Sequence, residues 1–359
     1  MKLTNIWAIG FSVLVSYQAL AETSNAPRQG WWDEPYPSTF DQTQLTKKQA
    51  FIKVKGNKLV NEQGKTVVLQ GLNISDPDKL VTQGKWSAAH FDVIQQWGAN
   101  AVRVPVHPVA WRKHGAEAYM QLIDQAVIWA NARDLYLILD WHSIGNLSDG
   151  LYQHPMYITD KSETMQFWRS IAYRYKDVPT IAVYEIFNEP TTYNGQLGEV
   201  SWAEWKAINE EIIGLIYSHD RNVIPAVAGF NWAYDLRPVK DDPIDAQGIA
   251  YIAHPYPMKS KPPYIQSWED TWGFVAKKYP LLATEIGFVG EGEPGAHIPV
   301  INDGSYGPII TDYLEKIGAS WTTWVFDPDW GPMMISDWDY TPTKQGAYFK
   351  SVMEKNKHR

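Results

Sequence analysis

Two glutamates stand out for the chemistry they could do together. One lies in Phe187-Asn188-Glu189-Pro190 and the other in Thr284-Glu285-Ile286-Gly287, each closing a short apolar run. Two carboxyls in unlike surroundings can divide a hydrolysis, one trading a proton while the other stays charged. Further groups able to bind or polarise a substrate close similar runs. They are Arg103, His142 in Asp140-Trp141-His142, Asn188, His254 and Tyr256 in His254-Pro255-Tyr256, and Trp324 ahead of Phe326-Asp327-Pro328. Singly, each has a bland reading: a hydrogen-bonded histidine, a solvated glutamate, a core tryptophan. Their joint occurrence at successive run ends is what points to one site.

Such a site requires elements that bring those ends together. Eight apolar segments read as strands: 67–74, 100–106, 136–141, 181–187, 223–228, 249–254, 281–286 and 320–326. Segments of helical spacing separate most of them, at 87–97, 116–132, 162–175, 202–217, 268–278, 306–317 and 344–353. Gly98 and Gly318 follow helix ends, where a left-handed cap is wanted. Continuous apolar strands want cover on both faces, which indicates a parallel sheet. Eight of them alternating with helices predict a (β/α)8 barrel of the TIM type, whose active site lies at the C-terminal strand ends. A small hairpin, with a turn at Gly56-Asn57, is expected ahead of the first barrel strand. No phosphate-cradling glycine loop follows that strand, which weighs against a dinucleotide-binding sheet.

With the strands so ordered, the chain resembles glycoside hydrolase family 5. The likeness rests on Ala101-Val102-Arg103-Val104-Pro105, Asp140-Trp141-His142, Phe187-Asn188-Glu189-Pro190, His254-Pro255-Tyr256, Thr284-Glu285-Ile286-Gly287 and Trp324-Val325-Phe326. It spans residues 50–355. The resemblance implies Glu189 as acid/base and Glu285 as nucleophile of a retaining enzyme. It also gives Asn188 the sugar 2-hydroxyl, makes His142 and His254 partners in the reacting subsite, and makes Trp324 its stacking floor. It implies no cofactor and no metal. The physics suits these roles, since retention needs two carboxyls about 5–5.5 Å apart. Arg103 and Tyr256 would hold Glu285 charged, and that charge would favour a proton on Glu189 until Glu285 is esterified. The likeness is to endoglucanase-type members, so cellulose-like β-1,4-glucan or mixed β-1,3/1,4-glucan is the expected substrate. A β-mannanase, a xyloglucanase and a non-catalytic carbohydrate-binding barrel are the alternatives.

The remaining acids read differently. Glu185, four residues before Glu189, should point into the barrel at a deeper level and act structurally. Asp327, Asp329, Asp337 and Asp339 lack calcium-loop spacing, so metal ligands are assigned to none.

Bulk properties agree with this reading. The net charge of −8 gives no basic face for nucleic acid. With no cysteine, disulfides and thiolate metal sites are excluded. Eighteen tryptophans and 20 tyrosines suit either a large core or flat sugar-binding platforms. Among loop aromatics, Trp111, Tyr193, Trp202, Trp232, Trp330 and Trp338 are candidates for outer subsites.

The N-terminus carries Lys2, an apolar run to Leu20, and Ala19-Leu20-Ala21, which together read as a signal peptide over 1–21. The run is too short and too interrupted to make a membrane anchor. The expected location is therefore periplasmic or extracellular. Residues 22–45 form an irregular, proline-containing arm with Trp31-Trp32 at its middle, and 46–359 the catalytic domain. Exposed paired tryptophans are a liability unless covered. The arm could fold back on its own barrel, or reach a neighbouring subunit of a homo-oligomer and line its cleft.

Overall fold

The computed structural model describes residues 30–191 and 196–357. The expected leader (1–21), the first part of the arm (22–29) and Tyr193 lie outside the described residues.

Eight parallel strands close into a barrel. In chain order they are Gln70–Asn73, Ala101–Val106, Tyr136–Trp141, Ile181–Glu185, Ile224–Ala228, Ala250–Ile252, Leu281–Ile286 and Ser320–Thr323. All eight expected strands are present, and the fold is a (β/α)8 TIM barrel. Register stacks the chemistry in layers. Pro105 pairs with Asp140, Asp140 with Glu185, and Glu185 with Ala226, so one ring of the barrel carries two buried acids.

Two apolar cores share the work of holding this shape. The outer one lies between strands and helices and takes up Trp168, Trp205, Trp268 and Trp272. The inner one fills the barrel with small and branched side chains such as Ile138, Val183, Ala226, Ile252 and Leu282. The hairpin Lys53–Lys55 and Lys58–Val60 turns at Gly56 (φ 61°), which only glycine adopts without strain. It places Ile52 and Leu59 into that inner core, plugging the N-terminal mouth. Each such side chain contributes about 1.5–3 kcal/mol, and Leu59→Asp would open the plug.

Several expected boundaries shift, each for a local reason. Glu189 does not continue the fourth barrel strand. It starts a two-residue strand that pairs with Ile144–Asn146 in a small sheet above the barrel rim. The eighth strand ends at Thr323, so Trp324 follows it. The helix read at 162–175 begins at Lys161, because Asp160 accepts the Glu163 backbone N–H as N-cap. The helix read at 268–278 is Tyr264–Thr271 followed by a 3-10 turn over Gly273–Lys277. Trp272 breaks it (φ −145°), seating its ring against Trp268 and Tyr313. Gly98 (φ 88°) and Gly318 (φ 71°) do make left-handed caps.

From residue 30 the arm lies along the helix Lys161–Arg174 of its own barrel. Tyr36 sits between the Arg169 guanidinium, 3.6 Å from its ring centroid, and the Tyr173 ring at 4.3 Å. Glu34 O accepts from Arg169 and Phe40 N–H donates to Arg174 O. Trp31 packs on the outer core, whereas Trp32 is 54% exposed. No helix among the described residues is long and apolar enough to cross a membrane.

Candidate active site

A cleft of about 830 Å³ opens at the C-terminal end of the barrel. Glu189, Glu285, Asn188, His142, Tyr256 and Trp324 all line it. Arg103 and His254 lie directly beneath, fully buried. The eight residues read from the sequence as a site are therefore brought together.

Arg103 organises the floor. Its Nε and Nη2 form a fork on Glu185, both at 2.8 Å. Nη2 also meets Asn188 Oδ1 at 2.6 Å and Asp140 Oδ2 at 3.0 Å. Nη1 divides between Asn73 Oδ1 at 2.8 Å and Glu285 Oε1 at 2.9 Å. A guanidinium presents its donors in a fixed plane, so it sets the angles of every acceptor around it. Glu185 is thus the structural partner expected: burial alone would raise its carboxyl, but Arg103 and His254 together outweigh that cost and hold it below the ordinary value.

Glu285 has the two expected contacts, Arg103 and the Tyr256 hydroxyl, which donates to Oε2 at 2.8 Å. They do not depress its pKa, however. Burial outweighs His254 and Arg103 and leaves the carboxyl above its usual value. The reason is geometric: Arg103 gives its bidentate face to Glu185 and only one nitrogen to Glu285.

Glu189 meets His254, whose Nδ1 stands 2.9 Å from Oε1. The other ring nitrogen contacts Thr284 Oγ1 at 2.9 Å. Burial acts against a charged imidazole here, but Glu285, Glu185 and Glu189 overcome it and lift the His254 pKa to about 9. His254 is therefore cationic at neutral pH, with its Nδ1 set against Glu189 Oε1. A carboxylate oxygen of Glu189, one of Glu285 and a His254 nitrogen lie within 4.8 Å of one another. That spacing could suit a cation, yet each group already has an internal partner, in Arg103, Tyr256 or the His254–Glu189 contact.

The floor is polar at one edge and aromatic at the other. His142 Nδ1 meets Asp140 Oδ2 at 2.6 Å, an oxygen that also accepts from Arg103, so Nε2 is left to face the cleft. Burial and the neighbouring cations hold His142 well below its ordinary pKa, hence neutral. Its ring is parallel to Trp324 within 4° at 5.2 Å, and Trp324 is parallel to Trp330 within 9° at 6.2 Å. Asn188 gives its oxygen to Arg103, while its amide nitrogen is buried without a partner, a donor left for a ligand.

The loop aromatics divide. Trp232 and Trp330 line the cleft. Trp111 packs inside against Phe167 and Trp141, Trp202 donates to Asp242 O, and Trp338 lies beside His90 and Lys85. The acidic loop is occupied from within: Lys79 bridges Asp327 and Asp329, and Ser75 donates to Asp327 at 2.6 Å. Reading strand ends overlooked Asn73, Gln153, Tyr157 and Lys259. Asn73 was legible as the polar end of the first strand; the others sit on loops with no regular spacing.

A TIM barrel whose fourth and seventh strands deliver two neighbouring carboxyls to one aromatic cleft is the architecture of a glycoside hydrolase. Comparison with known proteins agrees. Residues 60–329 match the model of Cellulase (glycosyl hydrolase family 5). The chain is 28% identical over 237 residues to endoglucanase A of Butyrivibrio fibrisolvens, covering 62% of this chain and 49% of that one. It is 27% identical over 295 residues to endoglucanase E-5 of Thermobifida fusca, covering 77% and 56%. It thus spans about half the length of these curated relatives. A β-glucanase from Saccharophagus degradans, solved in native form and with cellotetraose, has TM-score 0.88 and 55% identity, covering 91% of this chain and 99% of that chain. The chain belongs to glycoside hydrolase family 5.

Proposed function

We propose that the protein hydrolyses β-1,4-glucosidic bonds of cellulose-like or mixed-linkage β-1,3/1,4-glucan, with retention of anomeric configuration and internal chain cleavage. The observation that carries the mechanism is the closeness of the two carboxyls, one oxygen of each lying within 4.8 Å of the other. Inverting enzymes keep them about 6.5–9.5 Å apart to admit a water. In the first step Glu285 attacks the anomeric carbon while Glu189 protonates the departing oxygen, leaving a glycosyl ester on Glu285. In the second, Glu189 removes a proton from water, which attacks the same carbon and frees Glu285. His254 Nδ1, 2.9 Å from Glu189 Oε1, is placed to pass a proton to that carboxyl. The unpartnered Asn188 amide meets the 2-hydroxyl, His142 Nε2 accepts from another hydroxyl, and Trp324 stacks beneath the ring.

The substrate assignment rests on the open aromatic cleft and on the β-glucanase and endoglucanases that the chain resembles. Mannan and xyloglucan are the alternatives for the same carboxyls. Product analysis on barley β-glucan, carboxymethyl cellulose, xyloglucan and mannan decides among them. Following the first-formed anomer by NMR tests retention. Activity confined to mannan, or an inverted first product, would overturn this reading.

Secretion is proposed from the leader pattern at 1–21, and N-terminal sequencing beginning near Glu22 would support it. The arm docks on its own barrel from residue 30, which favours the fold-back alternative for 30–45. Exposed Trp32 is the part left for a second copy. Deleting 22–45 should change neither mass in solution nor product length if fold-back is its whole role.

A further inference from the structure

Asn231 (φ 56°), Trp232 (φ 54°) and Ala233 (φ 54°) form three consecutive left-handed residues after the fifth strand. Side chains make that conformation costly, and such runs persist only where the surroundings over-determine them. Here the segment after the sixth strand meets all three carbonyls. The Lys259 ammonium donates to Asn231 O at 2.9 Å and to Trp232 O at 3.2 Å. The His254 backbone N–H donates to Ala233 O at 2.7 Å. Lys259 is itself fixed, its N–H donating to Tyr256 O at 3.0 Å and that of Met258 to Pro299 O at 2.9 Å. Burial lowers the Lys259 pKa to about 8 against the pull of Glu189 and Glu285, so it remains cationic at neutral pH.

What this turn presents is the Trp232 ring. Its indole N–H donates to Gln153 Oε1 at 2.7 Å, and Lys259 Nζ lies 5.3 Å from its centroid. The ring shares the cleft wall with Glu189. The fifth strand adjoins the fourth, which Glu189 follows, while Trp324 follows the eighth strand, opposite the fourth in the closed order. The two rings therefore stand on opposite sides of the glutamate pair. The oxygen protonated by Glu189 belongs to the departing sugar, which must leave on the Trp232 side.

We propose that Lys259 is a positioning residue that holds this turn so that Trp232 forms the platform for the leaving-group sugars. The inference rests on Glu189 being the acid. Apolar sugar faces stack on such rings, and a misplaced ring loses most of that contact.

The test compares cellopentaose with β-cellobiosyl fluoride, whose leaving atom reaches nothing beyond Glu189. Lys259→Met should raise KM for cellopentaose about tenfold relative to its change on the fluoride. Trp232→Ala should show the same ratio, and adding Lys259→Met to it should cost under about twofold more. Lys259→Arg should recover part of the loss. Gln153→Leu, which frees the other tether of the ring, should move KM in the same direction if Lys259→Met does not fold. Equal losses on both substrates, or a displaced pH profile on the fluoride, would mean that Lys259 acts on the carboxyls and would overturn the proposal. Additive losses in the double variant would overturn it too. A wild-type enzyme that cleaved neither substrate would remove the glucanase reading beneath it.

Discussion

Trp324 and Trp232 both face the cleft, yet they are held in different ways. Trp324 directly follows a barrel strand, with its N–H on Ile286 O, its indole on Gly331 O, and two parallel neighbours in His142 and Trp330. Trp232 stands on a strained turn fixed by side chains from two other loops. The first wall inherits its geometry from the sheet. The second depends on a few contacts that single substitutions can remove. A barrel can thus keep its reacting subsite while its outer wall varies.

The comparison is sharpest at the glutamates, which, like Trp324, are placed by the barrel strands. Glu285→Gln should lower kcat about 10^4-fold or more, since it removes the attacking oxygen anion. Glu189→Gln should cost about 10^2- to 10^4-fold on glucan and much less on β-cellobiosyl fluoride, whose leaving group needs little proton. Steady-state kinetics on both substrates checks this. Near wild-type activity in either variant would end the assignment of roles.

The next largest contrast is in stability. Arg103→Met leaves Glu185, Asp140 and Glu285 buried without their common cation, and should cost about 3–5 kcal/mol in denaturant unfolding. Lys259→Met frees two backbone carbonyls near the cleft and should cost about 1–3 kcal/mol. Equal costs would show that the two walls are not so differently built.

Among the platforms, Trp324→Ala should lower kcat/KM about tenfold on glucan and on β-cellobiosyl fluoride alike, because the reacting sugar itself loses its floor. Trp232→Ala should affect glucan alone. A matching pattern for both variants would erase the distinction between the walls.

The same contrast explains what the sequence could disclose. The strand-end residues were legible because a barrel turns a one-dimensional order of run ends into a ring. Arg103, Glu189 and Glu285 follow from that order without knowledge of any loop. Lys259 and Gln153 were not legible, because their roles depend on a left-handed turn at Asn231–Ala233 that contains no glycine to announce it. The division of Arg103 was hidden as well. Glu185 looked merely structural, and only the register Asp140↔Glu185 shows that it takes the guanidinium fork from Glu285.

That division leads to the smallest effect, a displacement of the acid limb of activity. Burial holds the Glu285 carboxyl above 4.5, with His254 and Arg103 drawing it back down. Attack requires the anion, so kcat/KM falls as pH drops through this raised value, and its acid half-point should lie above pH 4.5. His254, with a pKa near 9, is cationic there and stands 3.8 Å from Glu285 Oε2. His254→Asn removes that charge, so the Glu285 carboxyl should hold its proton to higher pH and the acid limb should move upward. Trp324→Ala and Trp232→Ala remove no charge and should leave the limb in place. A profile of kcat/KM against pH on β-cellobiosyl fluoride separates these cases. A limb that stayed fixed or moved downward in His254→Asn would show that the His254 charge does not help to hold Glu285 ionised.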